Sequence, residues 1–216
     1  MRTKIWKMAL ALFGLPCVSA AADLTGLSTS VSIDDDGRAV IRLWALLDQA
    51  GDGVRAVWGD ASNQLSIWTD DPEGFYQDAC GGDASTSINP ALYDTCPGLQ
   101  SDSWMTIGCV DQNGLLPSGD VVVNNLFTGG MDWTVATELS TIDGAWFITP
   151  DDAQGLAIDG QVLLGQFTVR SDLGFVVSGS INVLVQHADG SWTEHVALTF
   201  EAIAEDPALW GACCVG

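Results

Sequence analysis

The chain has 216 residues, 28 of them acidic and only seven basic, for a net charge of −21. That balance argues against a nucleic-acid partner, which needs a basic face to neutralise phosphates, and against docking on anionic lipid. It does not describe a disordered chain: 47% of the residues are hydrophobic and 16% charged, enough apolar mass for a large core.

The N-terminus reads as an address. Arg2, Lys4 and Lys7 precede the apolar run Met8–Val18, and the small residues Ser19 to Ala22 follow. That order is a secretory signal peptide with cleavage after Ala20 or Ala22. A lipid anchor on Cys17 would need a small residue before it, and Pro16 stands there instead. Residues 1–22 are therefore expected to be removed, leaving 23–216 as one domain without membrane insertion. Four arginines then face 28 acidic residues, a net −24, and no lysine remains. Such a surface suits salty surroundings, where counter-ions relieve self-repulsion.

The remainder reads as β nearly throughout. Leu27–Ile33 alternates apolar and polar residues, Asp34-Asp35-Asp36-Gly37 turns, and Arg38–Asp48 returns as a long strand. Val54–Trp58 and Gln64–Thr69 are short strands. Residues 70–102 are rich in Gly, Pro, Asp and Ser and form one long irregular loop. Ser103–Val110 is a strand, and short strands such as VVVNNLF and AWFIT lie within 111–160. Gln161–Val169 and Phe175–Gln186 are strands, and a final hairpin turns at Asp189-Gly190. Short strands with frequent turns point to an all-β, antiparallel β-sandwich, jelly-roll-like.

Five cysteines follow the signal. Cys80 and Cys96 bracket a loop of about 16 residues whose closure is worth roughly 3 kcal/mol. Cys109 is left to pair with Cys213 or Cys214, and an odd count leaves one thiol over.

The last hairpin places both histidines. With Asp189-Gly190 as a two-residue turn, His187 faces Trp192 and Leu184 faces His195. Alternation then sends the imidazoles to opposite faces, where they cannot share a metal. A three-residue loop would shift that parity. The sequence holds no G-x-S-x-G and no H-E-x-x-H, and nothing nominates a nucleophilic serine. A glycosidase would need two close carboxylates, of which Glu194 is the plausible in-strand member. The expected class is therefore non-catalytic.

Two binding readings remain. Asp111 and Asn113 resemble part of a calcium loop, and Asp34 and Asp36 crowd one turn, so a structural Ca2+ stands beside ordinary turn chemistry. Trp44, Trp68 and Trp104 fall on the less apolar faces of their strands. They are either stacking platforms for sugar rings or side chains packed under the long 70–102 loop or within a second sheet. The first reading implies a polysaccharide partner; an extracellular protein is the other partner considered.

Residues 75–108 carry a denser pattern. FYQDACGGDASTSINP followed by PGLQSDSWMTIG resembles a recurring secreted, β-rich module of uncharacterised marine bacterial and algal proteins. Val57-Trp58-Gly59, Gly165-Gln166 and Ser178–Asn182 are similar in kind. The resemblance implies an extracellular, non-catalytic protein and carries no functional residue with it.

Overall fold

The computed structural model describes residues 24–114, 124–125, 137–150 and 152–204. Residues 1–23, where the signal peptide is expected, Cys213, Cys214 and most of VVVNNLF lie outside these residues. The strands are β1 (Leu24–Ile33), β2 (Arg38–Leu47), β3 (Gly53–Gly59), β4 (Leu65–Thr69), β5 (Trp104–Met105), β6 (Asn124–Asn125), β7 (Glu138–Thr141), β8 (Gly144–Phe147), β9 (Gln161–Arg170), β10 (Val176–Gln186) and β11 (Trp192–Ile203). Every pairing between them is antiparallel.

They form two sheets, as the sequence leads one to expect. The first has the order β1-β2-β9-β5. The second runs β6-β8-β3-β10-β4-β7, with β11 on the other side of β10. Alternation along β2 turns Ala39, Ile41, Leu43, Ala45 and Leu47 inward. They meet Val177, Ile181, Val183 and Val185 of β10 and Val54, Val57, Leu65 and Ile67 of β3 and β4 in one core.

The second sheet contains a broken strand. β3 and β4 both pair with β10, at Asn182–Gln186 and Val177–Ser180 respectively, and the chain bulges away between them. Asn182 closes the gap. Its amide nitrogen donates to the carbonyls of Trp58 and Asn63, each at 2.8 Å, and its oxygen accepts the Ala197 N–H at 2.9 Å. Ala197 takes a left-handed φ of 54° at the bulge where β11 slips against β10. One buried amide thus satisfies backbone groups from three segments that the ladder leaves unpaired.

Two sequence expectations change here. The Ser103–Val110 strand shortens to β5 because Thr106 bonds locally: its hydroxyl donates to the Cys109 carbonyl at 2.6 Å and accepts from Ser85. Gly108, at φ 81°, then turns the chain. The final hairpin also has a different register. Gln186 faces Trp192 and Val183 faces His195. The loop holds three residues, closed by the His187 N–H to Ser191 O bond, with Gly190 at φ 83°. Both histidines therefore sit on one face of the hairpin, not on opposite faces. They remain apart, since four strand positions span about 13 Å.

Candidate functional site

The long excursion after β4 folds over the outer face of the first sheet. It carries three short 3-10 turns, at Ser85–Ser87, Pro90–Leu92 and Pro97–Ser101. Beneath it a second apolar cluster joins Ile88, Leu99 and Trp104 to Leu163 of β9. Trp44, Tyr93, Cys80 and Cys96 pack against that cluster, and Cys80 and Cys96 are disulfide-bonded as expected.

The patterned residues of 75–108 hold this cover in place. Tyr76 N–H donates to Thr168 O, and Ser103 N–H to Tyr76 O, so the excursion continues the sheet beyond β9. Gln77 donates to the Ser103 carbonyl at 2.7 Å. Asn89 caps the Pro90–Leu92 turn by accepting from the Ala91 N–H. Gln166 of β9 donates to the carbonyls of Gln100 and Asp102 and accepts from Arg42. The Trp146 indole and the Gln154 amide reach the carbonyls of Thr106 and Ile107. At Gly108 a Cβ would lie 1.7 Å from the Gln154 carbonyl oxygen, so only glycine fits.

Asp102 is the centre of the cover. It is fully buried, and its two oxygens accept the N–H groups of Asp78 at 2.7 Å and Gly82 at 3.1 Å. A Cβ on Gly81 would collide with that carboxylate. Burial pushes the Asp102 carboxyl up to about 7, with the N–H groups of Asp78, Gly82 and Ser103 opposing and the Asp78 charge assisting. A raised carboxyl is a common mark of catalysis. Here the group has no exposed surface, and both oxygens are engaged by backbone N–H groups of the cover.

The candidate tryptophans do not form one platform. Trp104 is 2% exposed and lies in the cluster under the excursion. Trp44 is half-buried beside it and donates to Ser30. Trp68 is 42% exposed but stands on the second sheet, opposite Ser178 and Glu138. The loop closes over Trp104, while Trp44 packs against the same cluster and keeps part of its ring exposed.

The calcium candidates are likewise separated. Asp34 accepts the N–H groups of Asp36 and Arg38 and the Arg38 guanidinium at 2.7 Å, while Asp36 receives the same guanidinium at 2.6 Å. Arg38 thus bridges two of the three carboxylates of the crowded turn. Asp111 accepts the N–H of Asn113 in an ordinary Asx turn. Among the described residues, the group of three close donors is Asp78, Cys80 and Cys96. Its two sulfurs are joined to each other, which leaves no thiolate for a metal.

Two arrangements were not legible in the sequence. The first joins Asp52, His187 and Thr193. His187 Nδ1 lies 2.9 Å from Asp52 Oδ2, and Nε2 lies 2.7 Å from Thr193 Oγ1. The connectivity is that of an acid–imidazole–hydroxyl triad. Asp52 also accepts the Ala188 N–H at 3.0 Å, so the array fastens the β2–β3 turn to the final hairpin. Asp52 and His187 are both buried.

The second is a cleft of about 260 Å³ at the other end of β2. Arg38 and Arg170 are register partners at its rim. Asp71 receives Arg170 at 2.6 Å and Glu73 receives it at 2.9 Å. Arg38 covers the Tyr76 ring at 3.8 Å, and the Tyr76 hydroxyl donates to Asp78. Burial alone would raise the Asp71 carboxyl. The Arg170 guanidinium and the N–H groups of Glu73 and Arg170 outweigh it and hold the group below the usual carboxylate range. Glu194, the expected glycosidase carboxylate, is exposed on β11 and does not line this cleft.

Comparison with protein-family models, with curated proteins and with solved structures finds no match to this chain.

Proposed function

We propose that this chain is a secreted, non-catalytic β-sandwich that acts by presenting its surface to an extracellular partner. One observation carries the reading: the densest polar pattern in the sequence is consumed in fastening the cover over the first sheet. Asp102, Ser103, Thr106 and Gln166 are buried, and each has a hydrogen-bond partner there. Groups so engaged have no exposed atom to offer a substrate.

Two features pull toward hydrolysis and are outweighed. The Asp52–His187–Thr193 array has a triad's order, but Asp52 and His187 are both buried, and the same carboxylate is used to hold the Ala188 N–H of the final hairpin. A glycosidase acid must hold a proton near neutral pH. Asp71, the buried carboxyl of the cleft, is held in the opposite direction. The disulfide and the basic–apolar–small order of the N-terminus support an extracellular setting.

The test is a panel of chromogenic esters, peptides and glycosides incubated with purified protein. Release at the rate of the buffer blank is expected on all of them. Enzyme-dependent release on any one would overturn the reading.

A further inference from the structure

The outer face of the second sheet gathers apolar, acidic and hydroxyl side chains around Trp68. Register places Glu138 of β7, Trp68 of β4, Ser178 of β10 and Glu201 of β11 in one line across four strands. One outward position along, Val176 of β10 pairs with Ile203 of β11. Trp68 and Ile203 are 42% and 43% exposed, so three adjacent strands share an accessible apolar patch. Such a patch, rimmed by polar residues, marks a binding surface. On its other side runs a line of hydroxyls alone: Ser140, Ser66, Ser180 and Thr199, repeating at the inter-strand spacing of about 4.8 Å. Ser66 donates to Glu138 at 2.9 Å and ties the two lines together.

Charge selects the partner. Glu138 and Glu201 are exposed on either side of Trp68. Among the described residues no arginine presents itself on this face. Arg38, Arg42 and Arg170 stand on the first sheet, and Arg55 is buried against Gln186 and the Asp152 carbonyl, toward the other end of β10. An indole between two carboxylates attracts an ammonium group, through the ring quadrupole and through their charge. The apolar patch is the complement of a C–H-rich sugar face, and the hydroxyl line is the complement of ring hydroxyls. A peptide strand would seek backbone partners at a sheet edge, whereas this face offers side chains only.

We propose that this face binds an extracellular polysaccharide built of amino sugars. The inference rests on the non-catalytic reading and names the partner class for it. A sugar ring lies over Trp68, its ammonium group meets Glu138 and Glu201, and neighbouring hydroxyls reach the line from Ser140 to Thr199. Of the three tryptophans singled out in the sequence, Trp68 alone takes part, which moves the sugar site from the first sheet to the second.

The experiment is isothermal titration calorimetry on the full protein, in mildly acidic buffer that keeps the probe's amines protonated. The probes are a glucosamine hexamer, its fully N-acetylated counterpart and hexalysine. The glucosamine hexamer is expected to bind, with the N-acetylated hexamer and hexalysine each at least tenfold weaker. Trp68→Ala should weaken binding at least tenfold, and so should Glu138→Gln combined with Glu201→Gln; these side chains are exposed, and the variants should keep the wild-type fold by circular dichroism. Ile158→Ser, at an exposed position before β9, should leave binding unchanged. No heat from the glucosamine hexamer overturns the proposal, as does equal binding of the N-acetylated hexamer. Binding equal in wild type and Trp68→Ala overturns the location and leaves a diffuse attraction of a polycation to a chain of −21. Hexalysine bound as tightly as the sugar, and through Trp68, overturns the polysaccharide in favour of a basic protein segment. Binding accompanied by shortening of the hexamer would keep the face and overturn the non-catalytic reading, so the two failures are distinguishable.

Discussion

Asp71 and Arg170 join the two sheets through a charge pair and a backbone bond at once. The carboxylate takes the guanidinium at 2.6 Å from Nη2 and 3.1 Å from Nε, and the Arg170 main-chain N–H at 3.0 Å. Asp71 lies just past β4 of the second sheet, and Arg170 ends β9 of the first. Asp71→Asn turns one acceptor into a donor that faces a guanidinium. The expected loss is about 2 kcal/mol, read as a lower denaturant midpoint. The Asp71 carboxyl sits below its ordinary value of 3.8 when folded, so its contribution is present above that pH and lost as pH falls below it. The variant should therefore show a flatter acid limb, and an unchanged limb would contradict the assignment.

Asp102 has the opposite sign. Its folded value near 7 stands above the ordinary 3.8, so the folded state keeps a proton that the unfolded chain has released between those values. Its contribution is greatest below about pH 4 and is lost as pH rises to 7, amounting to about 4 kcal/mol in full. Melting temperature measured from pH 4 to 8 should fall more steeply in wild type than in Asp102→Asn. The variant should also start lower, by about 2 kcal/mol, because an amide sets a donor against one of two backbone N–H groups. Parallel profiles would remove Asp102 from the account.

The disulfide acts on the cover rather than on the sandwich. Cys80 and Cys96 are 16 residues apart, and both pack against the cluster that holds Trp104. Replacing both by serine should cost about 3 kcal/mol. The loss should be local first: the Trp104 indole becomes accessible to acrylamide while Trp146, in the main core, stays protected. Equal quenching of both would mean that the two clusters unfold as one.

Strand positions and faces were largely readable because period-2 alternation and turn residues are local signals. The inward row of β2 and the outward Trp68 follow directly from it. The final register was not readable, since Asp-Gly serves both a two-residue turn and a three-residue loop with glycine last. Asp189 favours the latter here by accepting from the N–H and the hydroxyl of Ser191. The Asp34–Gly37 turn could have been solved further, because Arg38 stands next to the two carboxylates it bridges, Asp34 and Asp36. The Asp52–His187 contact spans 135 positions, and no local pattern announces it. The 75–108 pattern was visible without its purpose, since its partners Gln154 and Gln166 lie far along the chain. Cys109 is buried, and its expected partners Cys213 and Cys214 lie outside the described residues.

The central claim is that polar groups with a catalytic look are structural here, and the Asp52–His187–Thr193 array tests it most directly. The measurement is treatment of folded protein with a fluorophosphonate, followed by peptide mass spectrometry across Thr193. An activated hydroxyl forms a phosphonyl adduct, whereas one engaged with a buried imidazole in a clasp does not. The account predicts no adduct in wild type and none in His187→Asn. An adduct at Thr193 that His187→Asn abolishes would contradict it and make this chain a hydrolase.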